Sequence, residues 1–191
     1  MRKAPLFLML IACVPFVSTA EAKTRDKSWE FGAFVGNVDG SSGSEVGNGL
    51  GYTLRFGYNI TAKIETELSF QRDSADVAGH DAQFMRTVLG ITATFLADRE
   101  THTLPYVSAG LGTVQEKIYA FTDESSGSPV RVLESFDSSA LLTIGVGART
   151  FFTENWGVRY EARFNHHQAF DEGQDEYEVN VGITWVLGGQ K

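Results

Sequence analysis

Cysteine is nearly absent, occurring once in 191 residues at Cys13, so a disulfide scaffold and a cysteine-cluster metal site are both excluded. Basic residues are short, 16 Lys and Arg against 24 Asp and Glu, for a net charge of −8. An acidic chain with no basic cluster is a poor nucleic-acid binder, so no nucleic-acid partner is expected. Proline is low, 4 residues against 20 glycines. No run of 18 apolar residues exists, which excludes an ordinary transmembrane helix. It does not exclude membrane strands, which are short and alternate. What is present is an apolar fraction of 42% and an aromatic fraction of 12%, too rich for a disordered chain. The length allows one domain, or at most two small ones.

The first 22 residues read as an address. Arg2 and Lys3 open it, Pro5 to Val17 is almost wholly apolar, and Ala20-Glu21-Ala22 sets small residues where a signal peptidase reads. Cleavage after Ala22 leaves residues 23–191 as one cysteine-free domain. A rival reading takes Leu10-Ile11-Ala12-Cys13 as a lipobox with Cys13 acylated. Against it, the segment before Cys13 is very short and the apolar run continues past it.

After Lys27 the dominant signal is period-two alternation, the signature of strands with two unlike faces. It predicts eight: Trp29–Gly36, Leu50–Asn59, Lys63–Arg72, Phe84–Phe95, Tyr106–Glu116, Ser139–Thr150, Trp156–His167 and Tyr177–Leu187. In the second, Leu50, Tyr52, Leu54, Phe56 and Tyr58 oppose Gly51, Thr53, Arg55, Gly57 and Asn59. In the last, Tyr177, Val179, Val181, Ile183, Trp185 and Leu187 oppose Glu178, Asn180, Gly182 and Thr184.

No apolar face carries Asp, Glu, Lys or Arg. A charge on a lipid-facing strand costs about 2–4 kcal/mol at the bilayer midplane. A soluble sandwich would also alternate, with its apolar face inside. Its solvent face would then be the glycine-rich one, and glycine weakens an exposed strand while packing nothing. Inside a narrow barrel, where side chains from eight strands crowd together, glycine is a sensible choice. The predicted fold is therefore an all-β, eight-stranded antiparallel up-and-down transmembrane β-barrel, apolar face in lipid and polar face in the lumen.

The connections agree. Links after strands one, three, five and seven are long: Asn37–Gly49, Asp73–Gln83, Lys117–Ser138 and Gln168–Glu176. Those after two and six, Ile60–Ala62 and Phe151–Asn155, are short, and Leu96–Pro105 is intermediate. Long loops outside and short turns in the periplasm place both termini in the periplasm of a Gram-negative outer membrane. Trp29, Phe56, Tyr58, Phe95, Trp156 and Trp185 fall near the inner interface, and Tyr52, Phe70, Phe164 and Tyr177 near the outer one.

Pro105-Tyr106-Val107-Ser108-Ala109-Gly110-Leu111-Gly112 and the closing Val179-Asn180-Val181-Gly182-Ile183-Thr184-Trp185-Val186-Leu187-Gly188-Gly189 resemble the eight-stranded outer-membrane β-barrel family related to the OmpA N-terminal domain. The resemblance covers residues 23–191 and implies an outer-membrane protein of the cell envelope. Two departures are visible. The peptidoglycan-binding domain of OmpA proper is missing from the sequence. The terminal aromatic that many such barrels present to the barrel-assembly machinery is replaced by Gly-Gly-Gln-Lys after Leu187, which leaves Trp185 and Leu187 to signal assembly.

The expected lumen holds Glu30, Arg55, Lys63, Glu65, Glu67, Arg86, Arg149, Arg159, Glu161, Arg163 and Glu178. Buried charges must pair. Sequence proximity predicts Arg55 with Glu65 or Glu67, Arg149 near Arg159 with Glu161 between them, and Arg163 with Glu178. Such a network closes the barrel; exchange of partners would instead make a small gated pore, and eight strands leave little room for one.

Two sharper readings attach to the outer end of the chain's strands. Asn165-His166-His167 ends the seventh strand near the outer rim, where a lipid A deacylase of the PagL type carries a histidine followed two residues later by a serine. Here residue 168 is Gln and no serine follows Ser139, so the nucleophile is missing and no catalytic residue is expected. The outer links are acidic: Asp39, Glu45, Asp73, Asp76, Asp81, Asp123, Glu124, Glu134, Asp137, Asp171, Glu172, Asp175 and Glu176. Of these, Asp171, Glu172, Asp175 and Glu176 around Gly173 form a weak candidate Ca²⁺ or Mg²⁺ patch without EF-hand spacing, and a solvated loop is the plainer reading. The expectation is a monomeric, non-catalytic barrel without cofactor or resident metal. Its partners would be outer-membrane lipid and lipopolysaccharide, the assembly machinery, and an extracellular ligand or surface.

Overall fold

The computed structural model describes residues 25–39, 49–76, 82–97, 103–123, 129–169 and 172–190. The segment read as a signal peptide, Cys13 included, lies outside them. Eight strands follow one another: β1 (Asp26–Asp39), β2 (Gly49–Thr61), β3 (Ile64–Asp76), β4 (Ala82–Leu96), β5 (Thr103–Asp123), β6 (Pro129–Phe151), β7 (Trp156–Ala169) and β8 (Glu172–Gln190). Each pairs antiparallel with its neighbour, and β1 pairs with β8, closing the barrel.

The side-chain alternation seen in the sequence becomes an inside and an outside. On β2, Thr53, Arg55 and Asn59 are buried while Leu54 and Phe56 are exposed. The same division runs round the wall, with Val35, Leu89, Ile91, Leu111, Ile144 and Ile183 on the outer surface. The polarity is the reverse of a water-soluble protein: large apolar groups outside, carboxylates and guanidiniums inside. Aromatic rings gather at the end that carries the chain termini. Trp29 stacks on Phe56 (5.0 Å between centroids), Phe31 meets Phe56, and Trp156 stacks on Trp185 at 5.6 Å. At the opposite end Phe164 packs on Tyr177. Phe34, like Tyr106 and Phe151, is turned inward, and lies between Gly32 and Gly182, where a Cβ on either glycine would strike its ring.

Two tight turns at the terminal end are fixed by threonine hydroxyls. Thr61 Oγ1 accepts from the amides of Lys63 and Ile64, and Thr153 Oγ1 from those of Asn155 and Trp156. The first turn corrects the expected place of Lys63. A register shift between Asn59 and Thr61 pairs Thr61 with Ile64, so Ala62 and Lys63 form the turn and Lys63 is exposed rather than luminal. Above this end an apolar floor of Leu96, Leu104, Tyr106, Phe151 and Val186 closes the barrel base.

At the far end the strands run past the expected boundaries. β5 and β6 have 21 and 23 residues, absorbing most of the link predicted over Lys117–Ser138 and leaving 124–128 between them. The link predicted over Gln168–Glu176 shrinks to 170–171. Pairing of β6 with β7 ends at Leu141 and His167, so β6 from Pro129 to Ala140 is paired with β5 alone. The β5–β6 hairpin therefore stands above the rest of the rim.

Candidate functional site: the charged lumen

Every inward charge expected from the sequence except Lys63 is buried in the lumen: Glu30, Arg55, Glu65, Glu67, Arg86, Arg149, Arg159, Glu161, Arg163 and Glu178. Their partners, however, come mainly from across the barrel. Arg149 on β6 pairs with Glu30 on β1 (2.7 Å) and Glu65 on β3 (2.6 Å). Arg159 on β7 donates to both oxygens of Glu67 on β3, at 2.9 and 2.8 Å, a forked bond that fixes the guanidinium plane. Its Nε–H donates to the Tyr106 hydroxyl at 2.7 Å. Arg55 on β2 pairs with Glu161 on β7 at 2.7 Å and lies over the Phe34 ring at 4.2 Å.

These pairings revise three expectations. Arg55 is 3.8 Å from Glu67, but its short contact is Glu161. Arg149 and Arg159 do stand opposite each other in register, yet Glu30 and Glu65 lie between them as well as Glu161 beside Arg159. Arg163 stands opposite Glu178 in register, but its guanidinium bonds Glu161 at 2.7 Å. Neighbouring strands set which residues share a level. Closure sets which face each other over a lumen only as wide as two side chains.

A second group lies nearer the outer rim, and sequence reasoning missed most of it. Asp73 and Glu176, both assigned to outer loops, are buried inside. Arg86 Nε–H donates to Asp73 at 2.9 Å, and Arg86 also bonds Glu176. Glu116 and His167 are buried too, with His167 Nε2 3.2 Å from Glu116 Oε1. Just below, Val88, Val114 and Leu141 form a small apolar layer. The proposed cation patch does not form as read. Asp171 is outside the described residues, as is the side chain of Glu172, while Asp175 and Glu176 point to opposite sides of β8. Asp175 is on the outer surface, 2.7 Å from His166 Nδ1. The one signal for these inward residues was strand parity, since successive residues in a strand face opposite ways.

A closed eight-stranded antiparallel barrel with an apolar exterior, an aromatic girdle and a salt-bridged interior is an outer-membrane β-barrel. The chain belongs to the outer membrane protein beta-barrel domain family, whose sequence model matches residues 9–186. Its fold is similar to the crystal structure of Neisserial surface protein A, with 18% identity, a TM-score of 0.66, and 84% of this chain covering 99% of that one. It is also similar to the outer membrane protein OprG of Pseudomonas aeruginosa (13% identity, TM-score 0.59, 89% of this chain and 100% of that one). A third similar structure is Ail, the attachment invasion locus protein of Yersinia pestis, in complex with the heparin analogue sucrose octasulfate (14% identity, TM-score 0.55, 85% and 99%). No curated protein matches the chain in sequence. The protein resides in the outer membrane, and its apolar exterior contacts lipid.

Proposed function

We propose that this barrel is a closed, non-catalytic scaffold that contributes to envelope structure and presents its outer hairpin and acidic loops to an extracellular ligand or surface. The observation that carries the reading is the wall-to-wall ion pairing: Arg149 to Glu30 and Glu65, Arg159 to Glu67, and Arg55 to Glu161. Five strands are tied together through the lumen, and the base is floored by apolar side chains. Such a barrel holds a rigid rim, and a rigid rim fixes where the projecting β5–β6 hairpin stands. In this reading the chain is cleaved after Ala22, assembles as a monomer through the barrel-assembly machinery, and needs no cofactor. Ail was crystallised with a sulfated polyanion; here the outer acidic residues favour a ligand of opposite charge.

The test is conductance of the purified protein in planar bilayers. A closed scaffold inserts without conductance steps. Reproducible ion-selective steps from the wild-type chain would overturn the reading in favour of a small pore.

A further inference from the structure

We propose that Glu116, His167 and Glu176 form a metal site in the outer half of the lumen that takes a borderline divalent transition ion, Zn²⁺ above all. One ligand atom from each residue lies within 4.8 Å of the other two, and all three residues are buried. They come from β5, β7 and β8, so the site joins strands that are not all neighbours. Zinc takes nitrogen and oxygen ligands at about 2.0–2.2 Å in tetrahedral geometry, which sets ligand atoms roughly 3.4 Å apart. An imidazole gives an ion one nitrogen: His167 Nδ1 is 4.0 Å from Glu176 Oε2, whereas Glu116 Oε1 lies 3.2 Å from the opposite nitrogen, Nε2, and has to swing past the ring edge to join them. Arg86 already bonds Glu176 Oε2, so the carboxylate offers its other oxygen, and with Glu116 turned in, the set closes around one ion with water as the fourth ligand.

Two further observations point to a cation. The His167 side chain has no solvent exposure, yet its Nδ1 has no hydrogen-bond partner. A buried polar atom left in this way is costly unless something fills the position. The charge count of the lumen is the second. Near the base, Glu30, Glu65, Glu67 and Glu161 are matched by Arg55, Arg149, Arg159 and Arg163. Nearer the rim, Asp73, Glu116, Glu176 and Glu178 are buried with Arg86 as the one additional guanidinium among the described residues. Lys117 does not help, since its ammonium turns to the Phe136 ring on the outer side. Buried carboxylates in such excess call for a cation, and a divalent ion at His167 supplies two of the missing charges.

The donor set selects the ion. Imidazole with two carboxylates suits Zn²⁺ and similar first-row ions, whereas Ca²⁺ and Mg²⁺ take oxygen ligands. The layer of Val88, Val114 and Leu141 lies below, and a surface cavity of about 550 Å³ at the β6–β7 edge reaches His167 from the outer wall.

The test uses the untagged full chain folded in detergent micelles, with folding checked by its heat-modifiable mobility in gels. Zn²⁺ titration against a chromophoric chelator should give one ion per chain. Co²⁺ in its place should show the intense visible bands of a four-coordinate ion. His167→Gln should weaken binding by at least about tenfold, and Glu116→Gln serves if that variant does not fold. His166→Gln, on the outer surface, should bind as the wild type does. Absence of stoichiometric binding to the folded wild type overturns the proposal. So does binding that His167→Gln and Glu116→Gln leave unchanged.

Discussion

Arg149 and Arg159 face each other directly in the β6–β7 pair, two guanidiniums in register with neither side chain more than 1% exposed. Like charges opposite one another in a sheet repel. They are tolerated here because Glu30, Glu65 and Glu67 reach them from β1 and β3, the far side of the barrel. The pair is thus an arrangement that only a closed barrel sustains.

Removing one member of this network should be severe. Arg159→Met leaves Glu67 without its forked partner, and breaking a buried ion pair in this way costs about 3–5 kcal/mol. Glu67→Gln combined with Arg159→Met should cost less than the two single changes added together, since neither group is then left charged and alone. Urea unfolding in micelles, read by tryptophan fluorescence, measures all three.

The same arginines fill the lumen. Arg55→Ser together with Arg159→Ser removes the two guanidiniums that flank Phe34 and leaves Glu67 and Glu161 facing a wider passage. That double variant should show small cation-selective steps in planar bilayers where the wild type shows none. Anion selectivity would mean that the remaining carboxylates do not line the path.

Height along β6 can be tested with two equally exposed residues. Ile144 is 52% exposed and Leu133 is 50% exposed, both on the outer surface. They are roughly 36 Å apart along the strand at 3.3 Å per residue. Ile144→Arg should lose about 2–4 kcal/mol, the cost of a charge in the bilayer interior, whereas Leu133→Arg on the projecting hairpin should change stability little. Equal losses would place the hairpin within the membrane.

His166 is on the outer surface paired with Asp175, and no serine follows Ser139. Lipid A mass spectra from cells lacking the protein, overproducing it, or carrying His166→Ala should therefore be identical. Loss of an acyl chain that tracks the wild-type protein and vanishes in His166→Ala would make the barrel an enzyme.

The fold was legible in the sequence wherever lipid imposes its demand on the outer face. Along Leu50–Asn59 or Tyr177–Leu187 each outward residue is apolar, so the period of two is plain. Beyond the bilayer that demand ends. At the start of β8 the outward residue becomes Asp175, the contrast between faces disappears, and the strand reads as a loop. Asp175 and Glu176 then looked like one acidic patch, although strand geometry sends them to opposite sides. Glu176 and Asp73 were missed for this reason, whereas Glu116 and His167 close predicted strands and were missed because the alternation was not followed to the last residue. The cross-lumen pairs were missed for another. Sequence order reveals which strands adjoin, but Arg149 and Glu65 meet only after eight strands have curled into a ring.

That ring has a consequence for how the protein reaches the membrane. Arg149 is separated from Glu65 by 84 residues and Arg159 from Glu67 by 92, so these cross-lumen pairs, unlike Arg86–Asp73 or Arg163–Glu161, cannot form within a nascent hairpin. A partly inserted sheet would hold bare guanidiniums at the level of the acyl chains. Such a sheet is costly in lipid, which favours insertion and closure as one cooperative event. The interior chemistry acts as a proofreading step: the chain becomes a stable resident of the membrane only once β1 has met β8.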